Sequence, residues 1–277
     1  MKTLLIPVDF SSTSLKALEV GATIAKRISA KIILTHMVGV EEGYSIEPNN
    51  LEQVVYYKKL IGKKFEEFIA QPFLEGVLVE PLLQKQLDFF GINELAKELD
   101  ASLIIMGSQG SKGIAEFLKG SNTEKVVRNS EVPVLVVKEN EINFVPERIL
   151  YASDFNLETV EAYHRIIEVS MLLNARIEFL YVNLSGKDFK STSEMDETLL
   201  QFFKAVKHPE PVKAIKTVTR WSDYSVEKGV INYATLSGTD IIAIPTHGRK
   251  GLSHILQGSI SEDVANHAIK PVLTVKI

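Results

Sequence analysis

The strongest constraint on this chain is an internal repeat. Leu4-Leu5-Ile6-Pro7-Val8-Asp9-Phe10-Ser11 is echoed by Ile149-Leu150-Tyr151-Ala152-Ser153-Asp154-Phe155-Asn156, which sets Asp9 opposite Asp154. The stretch from Leu103 to Lys138 is echoed without a gap from Ile241 to Lys276. Gly110, Lys112, Gly113, Gly120, Ser121, Pro133 and Val134 recur there as Gly248, Lys250, Gly251, Gly258, Ser259, Pro271 and Val272. Chance similarity does not hold such a register, so two copies of one unit are expected. A length of 277 residues suits two ordinary domains. The polar run Glu139-Asn140-Glu141-Ile142-Asn143 reads as their linker, giving expected domains over 1–139 and 146–277.

Within each copy, short β-branched runs alternate with helical patterns, the signature of strand-helix-strand units around a parallel sheet. The first copy predicts strands over Thr3–Val8, Lys31–Met37, Val77–Leu83, Leu103–Met106 and Val134–Lys138. The second predicts them over Arg148–Ala152, Arg176–Val182, Lys213–Thr219, Asp240–Ile244 and Val272–Lys276. Leu15, Leu18, Ala22, Ala25 and Ile28 share one face at helical spacing, behind the N-cap-forming run Ser11-Ser12-Thr13-Ser14. Further helices are expected from near Asn49 or Asn50, over Glu94–Leu99 and after Ser121. The expected fold class is therefore α/β, two doubly wound five-stranded parallel-sheet domains. Each last strand opens on proline and is rich in β-branched residues, and sheet edges must be paired or protected. The two copies can pair these strands with each other as an intramolecular pseudo-dimer, with room for a further homodimer.

Composition narrows the function. A net charge of −4 provides no global positive field for a nucleic acid. The absence of cysteine removes disulfides, thiolate metal sites and a cysteine nucleophile together. The amino terminus reaches Asp9 too soon to hold the apolar centre of a secretory leader. No stretch approaches the roughly 20 apolar residues of a membrane helix. A cytoplasmic protein that binds neither nucleic acid nor membrane is expected.

In an open parallel sheet, ligands sit beyond the carboxyl ends of the strands where the winding reverses. Asp9 follows the first strand, and Gly107-Ser108-Gln109-Gly110 follows the fourth. Nine residues later Gly120-Ser121-Asn122-Thr123 opens a helix, whose free N–H groups and positive dipole end favour a phosphate. Glycine serves where a loop turns with positive φ or where backbone must touch phosphate oxygens. A Gly-x-x-Gly pair alone is more often a turn maker, whereas the whole pattern between strand and helix is far more specific.

That pattern, repeated across nearly the whole chain, resembles the universal stress protein family, whose nucleotide-binding members carry Gly, two residues, Gly, nine residues, then Gly and Ser or Thr. The resemblance implies the strand order 3-2-1-4-5 and an ATP, AMP or other adenylate held across the ends of strands one and four. It implies that Pro7, Val8 and Asp9 border the adenosine and that Met37 packs against the base. It further implies that Met106 and Gly107 line the ribose and phosphate path, and that Gly110, Gly120, Ser121, Asn122 and Thr123 hold the phosphates. Val8 stands where ATP-binding relatives often have threonine, and Gln109 where many have histidine. In the second copy the counterparts are Asp154, Val182, Gly248, Gly258, Ser259 and Ser261, but Pro245 replaces the first glycine, removing an N–H and locking φ.

Other chemistries lack their residues. The six histidines show no spacing for a metal on one helix face, so Mg²⁺ is expected only as a companion of ATP, held largely by phosphates and water. No P-loop lysine motif, no Gly-x-Gly-x-x-Gly after either first strand and no Gly-x-Ser-x-Gly elbow is present. No catalytic residue is assigned, and a slow ATPase is the most that is expected of the first copy. A stress-response protein acting through an unknown protein partner is the leading reading. A nucleotide-independent interaction module, with both glycine loops serving only as turns, is the alternative. An adenylyl-transfer enzyme is the third, against which the first turn Pro7-Val8-Asp9-Phe10-Ser11 lacks the expected motif.

Overall fold

The computed structural model describes residues 1–36, 51–82, 89–108, 122–139, 144–246, 264 and 268–277. Ten strands form one sheet. They are β1 (Thr3–Val8), β2 (Lys31–His36), β3 (Val79–Leu82), β4 (Ala101–Ser108), β5 (Val134–Lys138), β6 (Arg148–Ala152), β7 (Arg176–Leu184), β8 (Val218–Asp223), β9 (Ile241–Thr246) and β10 (Val272–Lys276). Their order is β3-β2-β1-β4-β5-β10-β9-β6-β7-β8. Each half thus has the order 3-2-1-4-5 with parallel pairing throughout. The seam between halves is the antiparallel pair β5–β10, with Val136 opposite Val272 and Val134 opposite Thr274. The two last strands therefore protect each other's edges. Because the seam reverses strand direction, the carboxyl edges of the two half-sheets point opposite ways, and Asp9 and Asp154 belong to separate crevices.

The central strands are buried on both faces, which is why they read as nearly continuous apolar runs rather than alternating ones. The helices are α1 (Ser12–Ile28), α2 (Leu51–Ile69), α3 (Phe89–Glu98), α4 (Asn122–Asn129), α5 (Val160–Leu172), α6 (Thr192–Ala205), α7 (Pro211–Ile215) and α8 (Val226–Ser237). On one face, α1, α2, α5 and α6 cover a single continuous core that joins Leu4, Ile6, Phe65 and Leu135 to Tyr151, Ile166, Phe202 and Leu273. On the other face the described residues form two cores: Leu5, Ile92, Ile104, Val126 and Val136 in the first half, and Leu150, Val230, Ile242, Val264 and Val272 in the second. Arg27 at the end of α1 fastens the halves together. Its Nε donates to Leu173 O at 2.6 Å and its Nη2 to Asn174 O at 3.0 Å, satisfying carbonyls at the end of α5.

The duplication extends to backbone conformation. Phe10 (φ 64°) and Phe155 (φ 54°), and Ser29 (φ 52°) and Asn174 (φ 49°), occupy equivalent left-handed positions. One expectation fails. The strand predicted over Lys213–Thr219 is instead helix α7 followed by β8, which starts at Val218. Pro211 at the first helical position, where its fixed φ and missing N–H cost nothing, starts a turn that Lys213 and Ala214 continue.

Candidate functional site

The first crevice lies at the carboxyl edge where β1 winds toward β2 on one side and β4 on the other. β1 ends at Val8, whose carbonyl accepts a hydrogen bond from His36 Nδ1 at 2.9 Å, tying the ends of β1 and β2 together. Asp9 Oδ1 then accepts from the Ser11 amide at 3.0 Å and the Ser11 hydroxyl at 2.5 Å, closing a turn that exposes the carboxylate at the sheet edge. Desolvation acts to raise the Asp9 carboxyl, but the Ser11 hydroxyl and amide outweigh it and hold its pKa below the usual carboxylate value. This turn forces Phe10, a bulky residue, to positive φ. Its ring repays that strain by packing on His36 at 4.6 Å and against Phe65 at 5.2 Å and Phe68 at 5.5 Å.

Ser11 caps α1, accepting from the Ser14 amide, while Thr13 Oγ1 lies 2.9 Å from its hydroxyl. Ser12 donates to Glu139 Oε1 at 2.7 Å, which draws the residue after β5 to the same helix start. From the other side comes Gly107. A Cβ there would stand 2.3 Å from Thr13 O, so only glycine lets the end of β4 pass the first turn of α1. Gly107 O accepts from Thr123 Oγ1 at 3.2 Å, which brings in the first turn of α4. Ser108 follows, opposite Lys138 in the β4–β5 register, with Lys138 Nζ 3.5 Å from Ser108 Oγ. Lys138 is buried, and desolvation pulls its pKa down to about 8.

Of the residues expected here, Asp9, Gly107 and Thr123 come together around the end of β4. Pro7 and Val8 are buried within β1, and Met106 is a core residue beside Ile104 and Val136, so their side chains face away from solvent. Met37, Gly110, Gly120 and Ser121 lie outside the described residues, and Asn122 is placed only as the first residue of α4. Sequence reasoning assigned no role to His36, Ser108, Lys138 or Glu139. The repeat carried a signal for two of them, since each last strand ends in lysine and each fourth strand in a hydroxyl residue, Ser108 or Thr246.

The second crevice is built differently on the same plan. Asp154 holds the Asn156 amide at 3.3 Å and its side-chain amide at 3.0 Å, and Ser153 Oγ accepts from the Phe155 amide at 3.0 Å. Leu157–Thr159 then form a 3-10 turn before α5 begins at Val160, whereas α1 starts directly at Ser12. Pro245 sits in β9 where the first half has Gly107. Val182 is engaged by α8, its Cγ1 only 2.6 Å from where a Gly229 Cβ would be. Beyond it β7 runs on to Leu184, and Asn183 pairs with Lys190 through Nδ2 to O at 2.9 Å and N to Oδ1 at 3.0 Å, folding the following loop back on the strand end. Gly248, Gly258, Ser259 and Ser261 lie outside the described residues. Among the described residues, no group of three or more His, Asp or Glu side chains is arranged to hold a metal, and no helix is long and apolar enough to cross a membrane.

The universal stress protein family model matches residues 1–138 and again 146–276. The chain belongs to the universal stress protein family. Its relatives include universal stress protein MJ0531 of Methanocaldococcus jannaschii, 29% identical over 142 residues that make up 50% of this chain and 82% of the relative. Universal stress protein YxiE of Bacillus subtilis is 31% identical over 147 residues, 49% of this chain and 97% of the relative. The crystal structure of a universal stress protein from Archaeoglobus fulgidus superposes with a TM-score of 0.68 at 20% identity, covering 99% of this chain and 98% of that one. Each single-copy match thus spans half of this universal stress protein, and the Archaeoglobus structure shares the fold of the whole.

Proposed function

We propose that this universal stress protein binds an adenine nucleotide in its first half and acts in stress responses through a protein partner, with little or slow hydrolysis. The observation that supports this reading is the meeting of Asp9, the capped start of α1, bare backbone at Gly107 and the first turn of α4 at one topological switch point, with the sequence pattern Gly107-x-x-Gly110 and Gly120-Ser121 supplying the loop between. In this reading Pro7, Val8, Asp9 and Met37 border adenosine, Met106 and Gly107 line the path to the phosphates, and Gly110, Gly120, Ser121, Asn122 and Thr123 hold them. Mg²⁺ enters only with the nucleotide. The second half, with Pro245 for the first glycine and Val182 committed to α8, is the weaker site. The domain division at 1–139 and 146–277 belongs to the same proposal.

One observation favours the competing reading of a nucleotide-independent interaction module. Thr13 O alone explains why residue 107 must be glycine, without any ligand. The test is to denature the purified chain, assay released adenine nucleotide, and titrate ATP by calorimetry with Asp9→Ala and Gly120→Val alongside. Adenylate-dependent heat that either substitution weakens at least tenfold is the expected result. Neither released nucleotide nor heat would leave the module reading standing.

A further inference from the structure

The sheet has two outer edges, and they are finished differently. β3 is four residues long, carries Pro81, which has no N–H to offer, and holds Glu80 against Lys31 at 3.0 Å. β8 is longer, running from Val218 to Asp223, and contains no proline. Its inner side pairs with β7 from Phe179–Val218 to Leu184–Asp223, and among the described residues no strand takes its outer side. A large apolar side chain stands in solvent at each end of it. Val212 in α7, just before the strand, is 64% exposed, and Tyr224, just after it, is 86% exposed. Charge is divided in the same way, with the exposed Lys216 before the strand and Asp223 closing it.

We infer that β8 is a docking edge for a second copy of this chain, paired antiparallel with its own counterpart about a twofold axis. Such pairing lays the start of each strand beside the end of the other. Val212 of one copy then comes to the end that carries Tyr224 of the other, and Lys216 to the end that carries Asp223, each twice over. A parallel neighbour would set like ends together. Residues directly opposite each other share a sheet face, which leaves two registers centred in the strand. Arg220 on the axis would oppose two guanidiniums, whereas Trp221 on the axis sets Arg220 opposite Ser222 and Thr219 opposite Asp223, so the second register is favoured. The chain already joins its own two halves in this manner, with Leu135 facing its counterpart Leu273 in the β5–β10 seam. An edge of six residues is a small interface, so the dimer is weak and reversible. It needs no ligand in either half.

The experiment is sedimentation velocity on the full chain from about 1 to about 200 µM, a range that brackets a weak complex. The unaltered protein is compared with Tyr224→Lys, Thr219→Asp, Thr219→Lys and, at the opposite edge, Glu80→Gln. Circular dichroism and thermal melting establish that each variant is folded. The expected result is a concentration-dependent dimer that Tyr224→Lys weakens at least tenfold. Thr219→Asp, which opposes carboxylates across the axis, weakens it as well, Thr219→Lys tightens it, and Glu80→Gln leaves it unchanged. A chain that stays monomeric throughout overturns the inference. So does a dimer indifferent to Tyr224→Lys and to both Thr219 substitutions, since its interface lies elsewhere.

Discussion

The two halves make the same turn after their first strand and then part company. In each, an aspartate bonds the amide two residues on, a phenylalanine takes positive φ, and its ring packs on an aromatic of the second strand, His36 in one half and Tyr181 in the other. After that, α1 starts at once and presses Thr13 against Gly107, while the second half inserts a 3-10 turn and carries Pro245. A duplicated fold thus keeps the strained turn but tolerates two ways of starting the helix. The glycine and the immediate helix start go together, and so do the proline and the delayed one.

The largest effect should come from removing that glycine. Gly107→Ala puts a methyl group into a backbone carbonyl, for an expected loss of about 3 kcal/mol in urea unfolding. Pro245→Ala only removes atoms and inserts nothing, so it should cost under about 1 kcal/mol. Equal losses would break the comparison, showing that α1 can retreat as α5 does.

Next in size is Lys138. Its folded pKa of about 8 lies below the ordinary lysine value of 10.5, so between those values the unfolded chain holds more protons and stability rises with pH. Below pH 8 the cost of burying the charge is fully present. Lys138→Met should therefore stabilise the protein at pH 7, by up to about 3 kcal/mol, with the gain fading toward pH 10. A flat profile for Lys138→Met from pH 7 to 10 would mean that the lysine is not desolvated.

The smallest effect separates the two caps. Ser11→Ala should cost about 1 kcal/mol, and Asn156→Ala, which caps only a short turn, about 0.5 kcal/mol. Because the Ser11 bonds hold the Asp9 carboxyl down, Ser11→Ala should also move its titration upward, readable by carboxyl carbon NMR. An unmoved Asp9 would show that another group sets its charge.

Most of the architecture was legible because strands buried on both faces are written as β-branched runs and because everything was written twice. The miss at Lys213–Thr219 has a local cause. Edge strand β8 is Val-Thr-Arg-Trp-Ser-Asp, polar enough to be passed over, while Val212, Ala214 and Ile215 just before it carry the apolar character into a helix. In the site, Asp9 could be read from its place after a strand. Gly107 was read as a glycine for phosphate, although the contact that requires it comes from a helix almost a hundred residues earlier in the chain. The burial of Lys138 was out of reach for the same reason. A lysine ending a last strand reads as solvated, and nothing nearby in sequence announces that Ser108, 30 residues earlier, will lie beside it.

The reversed seam sets the carboxyl edges of the two half-sheets on opposite sides of the molecule. Its two mouths look away from each other, so a partner that closes over one leaves the other free, and no single small ligand can bridge them. Any coupling between the two ends crosses the β5–β10 seam, the Arg27 bonds to the end of α5, or the apolar layer that both halves share on one side of the sheet.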